Sequence, residues 1–200
     1  MRVIGGKYRG RKLKSPIDDT LRPTSEKTRA AIFNILTNSK RKLNFSQIRV
    51  LDLFCGTGAL GIEALSRGAA YAAFVDKSRK ALDLTMKNVE SIFAQKKITI
   101  FRADIAAIPY RKISIIEKYN LVFIDPPYGL GFVLPTLVQL EKYDLLSANA
   151  LVVIELSKSE KIEISTQFKI IDSRIYGKTQ VLFLEKNFDQ FSENDIDLQT

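Results

Sequence analysis

Short runs of uninterrupted apolar residues recur along this chain, each followed by a helix-like stretch, and that rhythm restricts the fold more than any other feature. The runs are Arg49–Phe54 (RVLDLF), Tyr71–Asp76 (YAAFVD), Ile98–Phe101 (ITIF), Asn120–Asp125 (NLVFID) and Ala150–Leu156 (ALVVIEL). Their β-branched and aromatic content, and the turn residues that bound them, favour strands over helices. Strands that are apolar at consecutive rather than alternate positions are buried on both faces. Between them, Leu82, Met86, Val89 and Phe93 form one stripe within Ser78–Phe93. Leu134, Leu137 and Val138 begin another, with Pro135 tolerable in a first helical turn. Such alternation predicts an α/β fold with a parallel sheet covered on both sides. The rhythm breaks at Phe168–Ile175 and Thr179–Leu184, two strand-like runs around the hairpin-length turn Tyr176-Gly177-Lys178. The expectation is a mostly parallel seven-stranded sheet that finishes with an antiparallel strand at its edge.

The first quarter is built differently. Residues 1–49 hold 13 Lys and Arg against three acidic residues, a balance of +10 in a chain whose net charge is +9. That placement points to a polyanion, nucleic acid above all, met by this segment through Arg9, Arg11 and Lys12. Arg2–Ile4 and Arg11–Leu13 could pair as a small hairpin, and Thr24 stands as the N-cap of a helix running to about Thr37. The last residues are polar and acidic. A single cysteine, Cys55, and no histidine exclude disulfides, cysteine-cluster metal sites and every imidazole-dependent mechanism. No apolar run approaches the ~18 residues of a bilayer span, and the N-terminus lacks a secretory signal, so the expected location is the cytoplasm.

Chemistry concentrates in two motifs. Asp52-Leu53-Phe54-Cys55-Gly56-Thr57-Gly58-Ala59-Leu60-Gly61 ends the first strand and opens a helix, with glycines spaced as in dinucleotide sites. Asp76, at the end of the next strand, is placed to accept from both hydroxyls of a ribose. The spacing leaves a nicotinamide dinucleotide and another adenosine cofactor both open. Asp52 favours the second, because a pyrophosphate would not welcome a carboxylate there and an aminoacyl ammonium would. Asp125-Pro126-Pro127-Tyr128 ends the fourth strand. Two prolines stiffen the turn and remove two N–H donors, so a carboxylate, a carbonyl and an aromatic ring are presented together. That set suits an exocyclic amine on a planar base.

Taken in series, the segments Arg2–Leu13, Leu21-Arg22-Pro23-Thr24 with the helix ending Phe33-Asn34-Ile35-Leu36, Asp52–Gly68, Phe74-Val75-Asp76-Lys77 and Asp125–Tyr128 carry a resemblance. The chain resembles the class I S-adenosylmethionine-dependent methyltransferases, and among them the 16S rRNA guanine-N2 methyltransferases of the RsmD type, over nearly all of residues 1–185. The glycine loop and Asp-Pro-Pro-Tyr specify only amino-methyltransferases; the opening segment with Arg22-Pro23-Thr24 narrows the substrate. Cys55 and Tyr128 depart from the family, which more often has alanine and phenylalanine there. The resemblance implies a Rossmann-like fold as three parts: a basic hairpin extension (1–23), a methyltransferase domain (24–185) and an acidic tail (186–200). It implies S-adenosylmethionine with its methionine end by Asp52, Phe54, Cys55, Gly56 and Gly58, its ribose at Asp76 and Lys77, and its adenine at Asp104 and Ile105. Asp125 and the Pro126 carbonyl would take the guanine amine and Tyr128 would stack on the base, needing its ring and not its hydroxyl. Pro127, Arg22 and Thr24 would lie along the substrate. The implied partner is 16S rRNA in a small ribosomal subunit or assembly intermediate, met by a monomer that needs no metal. Adenine-N6 or another rRNA guanine as target, a nicotinamide oxidoreductase and an inactive RNA-binding assembly factor are the alternatives.

Overall fold

A computed structural model describes residues 1–16, 24–38, 43–92, 94–105 and 117–186. The strands are β1 (Arg49–Leu53), β2 (Tyr71–Asp76), β3 (Ile98–Arg102), β4 (Tyr119–Ile124), β5 (Leu146–Ser157), β6 (Phe168–Tyr176) and β7 (Thr179–Lys186). The helices are α1 (Glu26–Asn38), α2 (Ala59–Ser66), α3 (Arg79–Ser91) and α4 (Val133–Lys142). Among the described residues the strands form one sheet in the order β3-β2-β1-β4-β5-β7-β6. The pairs from β3 to β5 are parallel, and β7 is antiparallel to both its neighbours. The antiparallel strand therefore lies one place inside the sheet, and the edge strand is β6. The turn that returns the chain into that gap is Gly177-Lys178, with Gly177 at φ +62°.

Burial on both faces explains why β1, β2, β4 and the second half of β5 read as continuous apolar runs, whereas β3, at one edge, is only half-buried. Val50, Phe74, Leu121, Phe123, Val153 and Phe183 point into one core layer, packed on α1 and α2 through Ile32, Phe33 and Ile62. Leu51, Leu53, Val75, Val122, Ile154 and Leu184 point into the other, where Val133, Leu137 and Leu140 of α4 cover them. β5 begins four residues before the apolar run, at Leu146, because its register with β4 shifts between Tyr119 and Leu121.

Three helix expectations need correction. In α4 the buried residues are Val133, Thr136, Leu137 and Leu140, whereas Leu134 and Val138 are 39% and 45% exposed. The helix is rotated from the expected stripe because Thr136 can face the core, its hydroxyl donating to the Phe132 carbonyl at 2.6 Å. In α1 the N-cap is Ser25, whose Oγ accepts from the Thr28 N–H at 3.0 Å. Thr24, one residue earlier, is turned elsewhere. In α3, Leu82 and Val89 are buried as expected, but Thr85 and Asn88 share their face, Met86 is only half-buried and Phe93 lies outside the described residues.

The basic opening forms a hairpin through an Arg2–Lys12 bridge and backbone bonds from Val3 to Arg11 and from Leu13 to Met1. Val3 and Leu13 are buried beside Phe33 in the first core layer. Glu63 of α2 staples the hairpin down, accepting from the Ile4 and Gly5 N–H groups at 2.7 and 2.8 Å and from Arg67 Nε at 2.9 Å. Arg29, fully buried, lies 4.0 Å from the same carboxylate and donates to the Arg2 carbonyl. Burial pushes this guanidinium's pKa down, opposed by Glu63 and Glu26. Residues 17–23, with Arg22 and the boundary after residue 23, and 187–200 of the tail lie outside the described residues. Glu63→Ala should destabilise the chain by about 3–5 kcal/mol, the range for removing one partner of a buried ion pair, read as a lower urea midpoint; a parent-like midpoint would contradict this role for Glu63.

Candidate active site

The order of strands reverses between β1 and β4, so the connections leaving their carboxyl ends diverge and open a crevice. A cavity of about 1200 Å³ occupies it. One wall is the glycine loop between β1 and α2. Phe54, Gly56 and Gly58 all have positive φ, which lets the chain turn sharply onto the helix. At Gly58 a Cβ would also come within 2.8 Å of Thr85 Cγ2, and at Gly61 within 2.4 Å of the Phe74 ring, so α2 could not pack this close with larger residues. Asp76 locks the loop, its two oxygens accepting from the Gly56 and Ser78 N–H groups at 3.0 and 2.8 Å. Each oxygen retains a second lone pair, enough for two neighbouring ligand hydroxyls.

Asp52 lies beneath the loop, 1% exposed, with Oδ2 accepting from the Gly61 N–H at 2.9 Å. Burial pushes its pKa up to about 8, the Asp76 charge adding to the rise and the Gly61 bond opposing it. The carboxyl borders the cavity while bracing α2. Cys55 is buried beside Thr85, Sγ to Oγ1 3.7 Å. Burial, then the charges of Asp52 and Asp76, raise its thiol well above the ordinary range, so it packs rather than attacks. Lys77 borders the same end, and Asp104 and Ile105 line the cavity beyond β3. Here Ile105 is buried, Asp104 exposed, and the Ala103 N–H reaches back to the Asp76 carbonyl at 3.1 Å.

The opposite wall is the turn after β4. Asp125, Pro126, Pro127 and Tyr128 all line the cavity. Thr24 Oγ1 donates to Asp125 Oδ2 at 2.9 Å, so the residue expected as a helix cap instead reaches a carboxylate 101 positions away. The Tyr128 hydroxyl lies 3.3 Å from Glu155 Oε1 and 3.1 Å from Thr179 Oγ1. Phe54 and Phe132 pack between the walls with ring centroids 5.7 Å apart.

Every residue expected at the cofactor and target amine lines this cavity except Gly58, which shapes the loop from behind, while Arg22 lies outside the described residues. Arg9, Arg11 and Lys12 do not line it; with Lys7, Tyr8, Gly10 and Ser91 they border a separate shallow groove. Sequence reasoning missed Asn88, which holds Lys14 at the cavity rim by accepting from its N–H at 2.7 Å and donating to its carbonyl at 3.1 Å. A buried asparagine inside a helical apolar stripe was the available signal. Among the described residues no cluster of three His, Cys, Asp or Glu could hold a metal, and no helix is long and apolar enough to cross a membrane.

Asp52 gives the fold a pH dependence. With its folded pKa near 8 and an ordinary unfolded value, the native state keeps a proton that the unfolded state releases, so stability falls as pH rises from about 4 to 8. Asp52→Asn should flatten that fall, measured as urea midpoints from pH 5 to pH 8; an unchanged slope would show that the carboxyl does not hold this proton.

Comparison with known proteins agrees with this geometry. The family model described as Conserved hypothetical protein 95 matches residues 1–185. The ribosomal RNA small subunit methyltransferase D of Escherichia coli (strain K12) is 34% identical over 155 residues, 78% of this chain and 74% of that one. The solved yhhF from Escherichia coli superposes with a TM-score of 0.76 at 26% identity, covering 93% of this chain and 97% of that chain. SMU.776, solved in complex with SAH, shares the fold at a TM-score of 0.59 and 15% identity, over 78% of this chain and 49% of its own. The chain thus belongs to the Conserved hypothetical protein 95 family, together with the ribosomal RNA small subunit methyltransferases D.

Proposed function

We propose that this chain transfers a methyl group from S-adenosylmethionine to the exocyclic N2 amine of a guanine in 16S rRNA. The observation that carries the reading is one cavity with two chemically different ends, Asp76 and the glycine loop at one and Asp125–Tyr128 at the other. Its volume exceeds what a single small ligand needs, leaving room for a cofactor and an extruded base together. The donor set fits the cofactor: Asp76 and Lys77 for the ribose, Asp104 and Ile105 for the adenine, and Asp52 with the Phe54–Gly58 loop for the aminoacyl end. When bound, it supplies an electrophilic methyl group on a sulfonium.

The chain's own residues answer the remaining difficulty, which is that the guanine N2 lone pair is delocalised into the ring. Asp125 and the Pro126 carbonyl each accept one N–H, turning the lone pair toward the methyl group. Thr24 holds the Asp125 carboxylate in place while it does so. Tyr128 stacks on the base and fixes its plane. The acceleration is mainly one of orientation, and the surplus proton passes late to Asp125 or to water. The hairpin groove, bordered by Lys7, Arg9, Arg11 and Lys12, takes phosphates of the RNA and offsets the cost of unstacking the base.

Mass mapping of small-subunit rRNA with and without the chain tests the reaction directly. Asp125→Ala should cut methyl transfer about 100-fold or more while leaving cofactor affinity intact, and Asp76→Ala should weaken cofactor binding by about 1.5–3 kcal/mol by calorimetry. Parent-rate transfer by Asp125→Ala would defeat the assignment of the amine acceptor. Reversing Arg9, Arg11 and Lys12 to glutamate should weaken RNA binding and lower its log–log salt slope by about 0.9 per lost duplex phosphate contact. An unchanged slope would remove the hairpin from docking.

A further inference from the structure

The Tyr128 side chain is tied at its far end by two residues from distant parts of the chain. β7 runs antiparallel to β5, so its first residue, Thr179, is set beside Ser157 at the carboxyl end of β5. Glu155 lies two residues back on β5, paired with Val181, on the cavity wall. Both are almost fully enclosed, Thr179 at 5% and Glu155 at 7% exposure. The phenol oxygen sits 3.1 Å from Thr179 Oγ1 and 3.3 Å from Glu155 Oε1. A phenol has one proton to give, and here it is donated to Glu155 Oε1. The chain of bonds therefore runs from the Thr179 hydroxyl to the Tyr128 oxygen and from the Tyr128 hydroxyl to Glu155, each bond polarising the next.

We propose that Glu155 and Thr179 are positioning residues that fix the plane of the Tyr128 ring, on which the target base stacks. The inference rests on the reading of Asp125–Tyr128 as the amine site and adds the residues that hold it rigid. A ring attached only at Cβ can swing; one bonded at its para oxygen to two buried groups on the sheet cannot. The base then meets a fixed plane before it reaches Asp125, which is where orientation contributes to rate. A phenylalanine could stack but could not be anchored this way. The tyrosine at this position is therefore used for its hydroxyl as well as its ring.

A double-mutant cycle on methyl transfer to small ribosomal subunits tests this. Thr179→Val, which removes one hydrogen bond, should lower kcat/KM about 3- to 10-fold, and Tyr128→Phe, which removes both, at least as much, with the loss mainly in kcat and cofactor affinity unchanged. Thr179→Ser, which keeps the hydroxyl, should recover most of the rate. In a Tyr128→Phe background, Thr179→Val should add almost nothing, because the bond it removes is already gone. Losses that multiply, or a Tyr128→Phe enzyme at the parent rate, would overturn the inference while leaving the methylation reading intact. A parent chain that forms no N2-methylguanine would remove both.

Discussion

The reversal of strand order between β1 and β4 is the constraint on which the site depends. Connections leave those two strands in opposite directions and open the cavity between them. The glycine loop on one side and the Asp125–Tyr128 turn on the other are the first residues after β1 and β4, so the topology alone puts them face to face. Asp76 ends β2 and Asp104 follows β3, extending the same edge outward. The order of groups along the cavity is thus the order of strands in the sheet.

Buried carboxylates keep that edge rigid. Asp52 and Glu63 are both 1% exposed and both act on α2, Asp52 through the Gly61 N–H and Glu63 by binding the hairpin and Arg67. Their burdens are met differently. Glu63 accepts three N–H groups beside two arginines, whereas Asp52 accepts one and has Asp76 as a neighbour, so burial raises its pKa. The result is a helix fixed at its start by a carboxyl held near neutrality and farther along by an ion-paired one. The loop that α2 carries is correspondingly preset.

What could be read from the sequence divides along the range of the interactions involved. The parallel strands were legible because burial on both faces leaves no polar alternation, and the glycine loop because its spacing encodes a local turn. The face of α4 was not, since Thr136 satisfies its hydroxyl on Phe132 and so occupies a core position that composition assigns to Leu134 or Val138. Thr24 reads equally well as a cap by local rules, and only Asp125, far along the chain, decides otherwise. Glu155 and Thr179 carry no signal of their own. Thr179 reaches the Tyr128 hydroxyl because β7 is inserted between β5 and β6, whereas the sequence indicated a hairpin there with its antiparallel strand at the sheet edge.

The same topology separates the basic groove from the cavity while tying both to the same elements. The basic groove is bordered by the hairpin and Ser91 and shares no lining residue with the cavity that holds Asp76 and Asp125. Yet Glu63 and Ser66 bind the hairpin to α2, the Lys7 N–H donating to the Ser66 carbonyl at 2.7 Å, and α2 begins at the glycine loop. From the middle of the first quarter Thr24 reaches Asp125. The segment that carries most of the positive charge is therefore bonded to both walls of the cavity. A loosely attached extension of the same charge would have neither bond.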